Sequence, residues 1–149
     1  MKPELTVKHF DELTVRELHD ILRLRVDVFV VEQACAYAEV DGKDPSAIHV
    51  MGWSDDELIA CARILPPEED GLPHVGRIVV AASHRGKGLA QRLMDRIMMT
   101  LNDTYGSKRS ELAAQAHLQK FYERCGYVRV SEEYPWDGIP HVDMRHDAE

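Results

Sequence analysis

No apolar run in this chain approaches the ~20 residues needed to cross a bilayer. The N-terminus, MKPELTVKHF, has no apolar signal core. A cytoplasmic protein with no membrane partner is expected. Cysteine is scarce: Cys35, Cys61 and Cys125 are far apart, odd in number and form no C-x-x-C pair. Neither a disulfide framework nor a zinc site is suggested by such spacing, and no metal is expected. Reduced, buried thiols are the simplest reading. Positive charge is also short, with 18 Lys and Arg against 26 Asp and Glu and a formal net charge of −8. General nucleic-acid binding needs clustered basic residues and is not expected. Acidity aids solubility, and it would also attract cationic small molecules.

What is present is enough for one compact domain, residues 1–149, with a core and no linker, repeat or low-complexity segment. Leu5 to Phe10 alternate loosely as a first strand. Thr14 with Glu17 forms a capping box at the start of a helix. Leu18, Ile21, Leu22, Val26, Phe29 and Val30 carry its periodicity to about Glu32. A loop runs on to Ser46, with room for one helical turn. Strands are expected over Ala47–Trp53 and Glu57–Leu65, joined at Ser54-Asp55-Asp56, and over His74–Ala81. A second helix carries Leu89, Leu93, Ile97, Met98 and Leu101. Glu111–Gln115 reads as a short strand and Ala116–Cys125 as a short helix stopped by Gly126. Tyr127–Val130 and Ile139–Met144 read as strands, with Pro135-Trp136-Asp137-Gly138 as the turn between them. The class is mixed α/β.

The most informative stretch runs from Arg77 to Ala90. An apolar strand enters a turn with Gly86 and Gly88, flanked by Arg85 and Lys87, and an amphipathic helix leaves it. Glycine lets a backbone approach a ligand closely. The helix start has unpaired N–H groups and a dipole that favours an anion. Together they make a pyrophosphate cradle, to which Arg85 and Lys87 add charge. The P-loop pattern is absent, and the dinucleotide fingerprint is broken at Gln91. The pattern R-x-x-G-x-[GA] is met by Arg85-Gly86-Lys87-Gly88-Leu89-Ala90. This resembles the acetyl-CoA pyrophosphate loop of the GNAT superfamily.

About thirty residues further on, Phe121-Tyr122-Glu123-Arg124-Cys125-Gly126-Tyr127 resembles the second GNAT signature. Further stretches narrow the likeness to the ElaA-like branch: Arg25 to Gln33, Asp41 to Asp44, Ala114 to Leu118 and Gly138 to Met144. The resemblance covers nearly the whole chain. It implies the GNAT fold, a central twisted mixed sheet of about six to seven strands flanked by helices. It implies acetyl-CoA as co-substrate and Tyr122 as the general acid that meets the leaving thiolate. It implies that the backbone of Ile78, Val79 and Val80 pairs with the pantetheine arm and polarises the thioester carbonyl. Gln115 stands where many relatives carry asparagine, which alters the reach of any contact it makes with CoA. Domains of this class often pair, so a homodimer is also an expectation.

An amine must lose a proton before or during attack. Many relatives place a glutamate on the strand before the glycine loop; His74–Ala81 has no carboxylate. Candidates for the base are Glu32, His141, His117 and His49, with His141 and Glu32 ranked first. Both are also candidates for contact with the acceptor. Arg25 lies seven residues before Glu32, on roughly the same face of an α-helix. It is either the partner of Glu32 in an ion pair or an anchor for an acceptor carboxylate. The expected function is transfer of an acetyl group to a primary amine of a small molecule or peptide, by direct attack in a ternary complex. The alternatives are a CoA-binding regulatory module without turnover and a transferase of another acyl group.

Overall fold

A computed structural model describes residues 3–147. The elements are β1 (Glu4–His9), α1 (Val15–Arg25), a π-helical segment (Val26–Glu32), β2 (Ile48–Ser54), β3 (Glu57–Leu65), β4 (His74–Val80), α2 (Leu89–Tyr105), β5 (Ser110–Gln115), α3 (Gln119–Arg124), β6 (Val128–Arg129), β7 (Tyr134–Trp136) and β8 (Ile139–His146). The strands form one sheet in the order β1-β2-β3-β4-β5-β8-β6, with β7 also on β8. The mixed α/β class and the central mixed sheet flanked by helices are as expected, with eight strands among the described residues rather than six or seven.

All neighbours are antiparallel except β4 and β5, which run parallel. That pair shares a single register position, His74 with Glu111. β4 and β5 therefore meet at their first residues and are not laddered beyond them among the described residues. The sheet opens between Val80 and Gln115, at the ends of the two strands.

Helices cover both faces. Ile21, Leu24 and Val28 pack with Met51, Leu58, Cys61 and Val79 on one face. On the other, Leu89, Leu93, Met94, Ile97 and Leu101 of α2 pack with Val50, Ile64, Leu112 and Val142, and Tyr122 and Tyr127 close that core. Val50 and Met51 are adjacent in β2 and go to opposite faces, as strand alternation requires. Leu93 is fully buried, so truncation to Ala would cost ~2–5 kcal/mol.

The capping box forms as expected: the Thr14 hydroxyl accepts from the Glu17 amide at 3.0 Å, and Glu17 Oε1 accepts from the Thr14 amide at 2.8 Å. The helix does continue to Glu32, but its last part is wider than α. The Gln33 amide donates to Val28 O at 3.0 Å and the Cys35 amide to Val30 O at 3.1 Å, both i→i+5 bonds.

This widening corrects the reading of Arg25. An α-helix would align positions 25 and 32; the π turns rotate Glu32 off that face. Arg25 is 1% exposed and does not pair with Glu32. It donates to Glu39 Oε2 at 2.6 Å and Asp44 Oδ1 at 2.8 Å. A guanidinium so enclosed cannot anchor an acceptor carboxylate. Arg63 joins Asp41 and Asp44, and Arg77 joins Glu39 and Asp41, so three arginines and three acids close a network beneath the 33–46 loop. Burying such charges is costly unless each is paired, and the alternation of signs meets that need.

The turn after β6 also differs from expectation. Pro135 and Trp136 belong to β7, and only Asp137-Gly138 makes the turn, with φ of +51° and +77°. This is the two-residue hairpin geometry that Asp-Gly favours.

Candidate functional site

The turn between β4 and α2 takes the shape its glycines require. Gly86 and Gly88 have φ of +76° and +79°, in the left-handed region, and Gly88 is the N-cap of α2. The backbone leaves its donors outward. The amides of residues 86–91 have no hydrogen-bond partner among the described residues; the next one, of Arg92, bonds Gly88 O at 3.2 Å. They border a groove of about 270 Å³ lined by Val80, Arg85, Gly86, Gly88, Gln91 and Phe121. Leu89 and Ala90 also line the groove, Leu89 with its side chain buried in the core. Six main-chain donors at the positive end of a helix form a site for a polyanion.

The two basic residues of the turn behave differently. Lys87 is exposed and makes no ion pair among the described residues. Arg85 is committed: Nη1 and Nη2 donate to the two Glu32 oxygens at 2.6 and 3.1 Å, and Nε donates to Val80 O at 2.9 Å. Its charge is thus shared with Glu32, which is not what its place in the motif implies. The hydrogen bonds from Arg85 hold the Glu32 carboxyl below the usual carboxylate range, although this side chain is exposed. A carboxylate so stabilised is a weak proton acceptor.

Tyr122 sits in α3 with its ring in the core, edge-on to Phe121 and Tyr127 at 5.1 and 6.4 Å between centroids. Its hydroxyl makes no hydrogen bond among the described residues. Burial pushes its pKa well above the ordinary tyrosine value, so it stays a protonated phenol. Gly126 ends this short helix at φ +97°, and a Cβ there would lie 2.7 Å from His146 Nε2. Only glycine fits both demands.

The open end of the sheet gathers a second set. Gln115 ends β5 opposite His141 of β8, and His141 faces Tyr134 of β7. Gln115 Nε2 donates to Gln33 Oε1 at 3.2 Å, which ties the end of the π segment to the end of β5. His141 Nδ1 is 2.7 Å from Ile139 O. A carbonyl can only accept, so Nδ1 carries a proton, and in the neutral ring Nε2 is the nitrogen with the lone pair. The ring stacks on Tyr134 at 6.2 Å and lies 5.3 Å from Trp136.

Two other histidines fall away from this set. His49 is 1% exposed, 3.0 Å from Asp44 O, and its pKa is lowered by burial. It is closed to solvent inside the ion network and cannot serve as the base. His117 is exposed on the turn before α3. Three site-lining residues carried no assigned role in the sequence. Phe121 and Gln91 line the groove, and Gln33 fixes Gln115. Gln91 comes directly after the glycine pattern, and that adjacency was the available signal.

Residues 17–148 match the family model described as Acetyltransferase (GNAT) domain. Protein ElaA of Escherichia coli K12 is 44% identical over 143 residues, 94% of either chain. The crystal structure of an acyl-CoA N-acyltransferase from Pseudomonas aeruginosa superposes with a TM-score of 0.93 at 42% identity, covering 97% of this chain and 99% of that one. An aminoglycoside 6′-N-acetyltransferase solved with coenzyme A shares the fold alone, with a TM-score of 0.72 at 19% identity over 94% of this chain and 95% of that one. No helix among the described residues is long and apolar enough to cross a membrane. With the glycine turn, the opened β4–β5 junction and α3 in their places, the chain belongs to the GNAT acetyltransferase family, in its ElaA-like branch.

Proposed function

We propose that this chain is an acetyl-CoA-dependent N-acetyltransferase, one domain that moves an acetyl group to a primary amine of a small molecule or peptide. One observation carries the reading: the unpaired amides of residues 86–91 at the mouth of α2. Main-chain donors left open in a row are costly unless solvent or a ligand satisfies them. A diphosphate supplies the matching acceptors, and Lys87 supplies a counter-charge.

From that anchor the pantetheine arm runs into the opening between β4 and β5. The β4 backbone at Ile78 to Val80 pairs with it and polarises the thioester carbonyl, as strand donors do for developing oxyanions. The amine attacks the carbonyl carbon in the ternary complex. The C–N bond forms, the C–S bond breaks, and the sulfur leaves with the electron pair. Tyr122, still protonated and without another partner, hydrogen-bonds or protonates that sulfur. His141, with Nε2 open, is the base for the ammonium proton. Glu32 does not take that role because Arg85 already holds it; it borders the acceptor side and can face a cationic substrate. Acetyl is the acyl group proposed, and a larger acyl chain is the alternative for the same machinery.

The experiment has two arms. Calorimetry with acetyl-CoA tests the cofactor, and a thiol-release screen over polyamines, amino acids, aminoglycosides and short peptides tests the acceptor. Binding together with amine-dependent thiol release supports the reading. Binding with no release for any amine favours a regulatory module instead.

A further inference from the structure

The buried ion network touches β4 at an unusual point. Among the described residues four that are not glycine have positive φ: Asp55 and Asp137 in hairpin turns, Ala34 after the π segment, and Arg77. Arg77 alone lies inside a strand, at φ +50°. An arginine in the left-handed region is strained and persists only where its surroundings hold it. The strain coincides with a bulge. Cys61 pairs with Val79 and Arg63 with Gly76, so Arg77 and Ile78 together oppose Ala62. An inserted residue re-aims the strand beyond it. In β4 that re-aimed stretch is Ile78 to Val80, the backbone beside the β4–β5 opening.

Two carboxylates meet at this point, and Glu39 makes the closer contacts. Arg77 Nε donates to Glu39 Oε2 at 2.8 Å and Nη2 to Glu39 O at 3.2 Å. Arg77 Nη2 also reaches Asp41 Oδ2 at 3.3 Å. The same Oε2 of Glu39 accepts from Arg25 Nε at 2.6 Å, and the Tyr37 hydroxyl donates to the other oxygen. The Arg77 guanidinium lies over the Tyr37 ring at 5.5 Å. Glu39 is 4% exposed. A single buried acid from the loop thus fastens the end of α1 to the bulge of β4.

We propose that Glu39 is a positioning residue for acyl transfer: through Arg77 it holds the β4 bulge in the register that turns the strand's amides toward the thioester carbonyl. This rests on the acetyl-CoA reading of the site. Glu39 touches no reactant, and its effect passes through the backbone. Plain stability would require only that the charges be paired. It would not require that Glu39 meet the one strained residue in the strand.

The test is infrared difference spectroscopy of carbonyl-¹³C-labelled acetyl-CoA bound to the full chain. Hydrogen bonds to the carbonyl oxygen lower its stretching frequency. The wild-type complex is expected to show this red shift relative to free acetyl-CoA. Glu39→Gln keeps the size and removes the charge. Arg77→Gly removes the guanidinium and accepts positive φ without strain. Both are expected to lose most of the shift while the calorimetric Kd stays within about tenfold. Asp44→Asn weakens the Arg25 and Arg63 contacts without touching Arg77, and is expected to lower Tm and keep the shift. If one of the first two variants fails to fold, the other decides. A shift absent from wild type, retained by Glu39→Gln or Arg77→Gly, or lost equally in Asp44→Asn overturns the inference. If wild type does not bind acetyl-CoA at all, the underlying reading fails and this inference with it.

Discussion

Arg85 and Glu32 form a two-pronged ion pair, at 2.6 and 3.1 Å, across the gap between the glycine turn and the end of the π segment. The pair ties a phosphate-loop residue to an acceptor-side residue. It is about two-fifths exposed, so its net worth is at most ~1 kcal/mol. Glu32→Gln should therefore change stability by less than that, as read by chemical denaturation. It should also lower kcat in the thiol-release assay by less than about tenfold, well under the ~10²–10⁴ that losing a general base costs. A larger loss would return Glu32 to the proton-transfer step.

His141 is the contrasting case. Its Nδ1 proton is fixed by Ile139 O, which leaves Nε2 to accept. His141→Gln should lower kcat by ~10² or more in the thiol-release assay. An unchanged kcat would point to a water chain or another group as the base.

Tyr122→Phe separates chemistry from packing. The ring stays in the core and the hydroxyl has no partner to lose, so Tm should hardly move. Loss of the acid should lower kcat by ~10²–10⁴ while acetyl-CoA affinity changes little. An unchanged kcat would remove Tyr122 from the mechanism.

Much of this site was legible because its signals are local. Gly86 and Gly88 announce left-handed backbone, and the stripe from Leu89 to Leu101 announces the helix behind it. Arg25 was not legible. The π turns at Val26–Glu32 use the same apolar residues as an α-helix, so the sequence has no sign of the change in phase that parts Arg25 from Glu32. The true partners, Glu39 and Asp44, lie in a loop where periodicity gives no guide. β7 was hidden by Pro135, which reads as a turn former. Proline is tolerated in a short strand that pairs on one side only, and β7 is such a strand. Arg77 shows the same limit: a bulge inside an apolar run leaves the run's composition unchanged.

The ion network also makes a pH prediction. Hydrogen bonds from Arg63 hold the Asp41 carboxyl well below its ordinary value. For Asp44, burial works in the opposite direction, but the bonds from Arg25 and Arg63 outweigh it and its pKa is also lowered. A folded-state pKa below the unfolded value of ~3.9 contributes stability that is fully present above that value. The contribution is lost as pH falls through the folded values. His49, whose pKa burial lowers, withdraws a first share of stability as pH falls below ~6.5, and the carboxylates withdraw theirs only below about 4. Asp44→Asn should flatten the fall of Tm below about pH 4, and a variant whose Tm falls there as steeply as that of wild type would contradict this account.

The central claim is that the open amides of the Gly86–Gly88 turn hold the diphosphate of acetyl-CoA. Neither glycine has a neighbour within 4 Å of a built Cβ, so a side chain there meets free space. The penalties are the φ of +76° and +79° and, for glutamate, a negative charge beside the phosphates. Isothermal titration calorimetry of acetyl-CoA against wild type, Gly86→Glu and Gly88→Glu tests the claim most directly. Binding by wild type and none by either folded variant is the predicted result, and normal binding by both variants would contradict it.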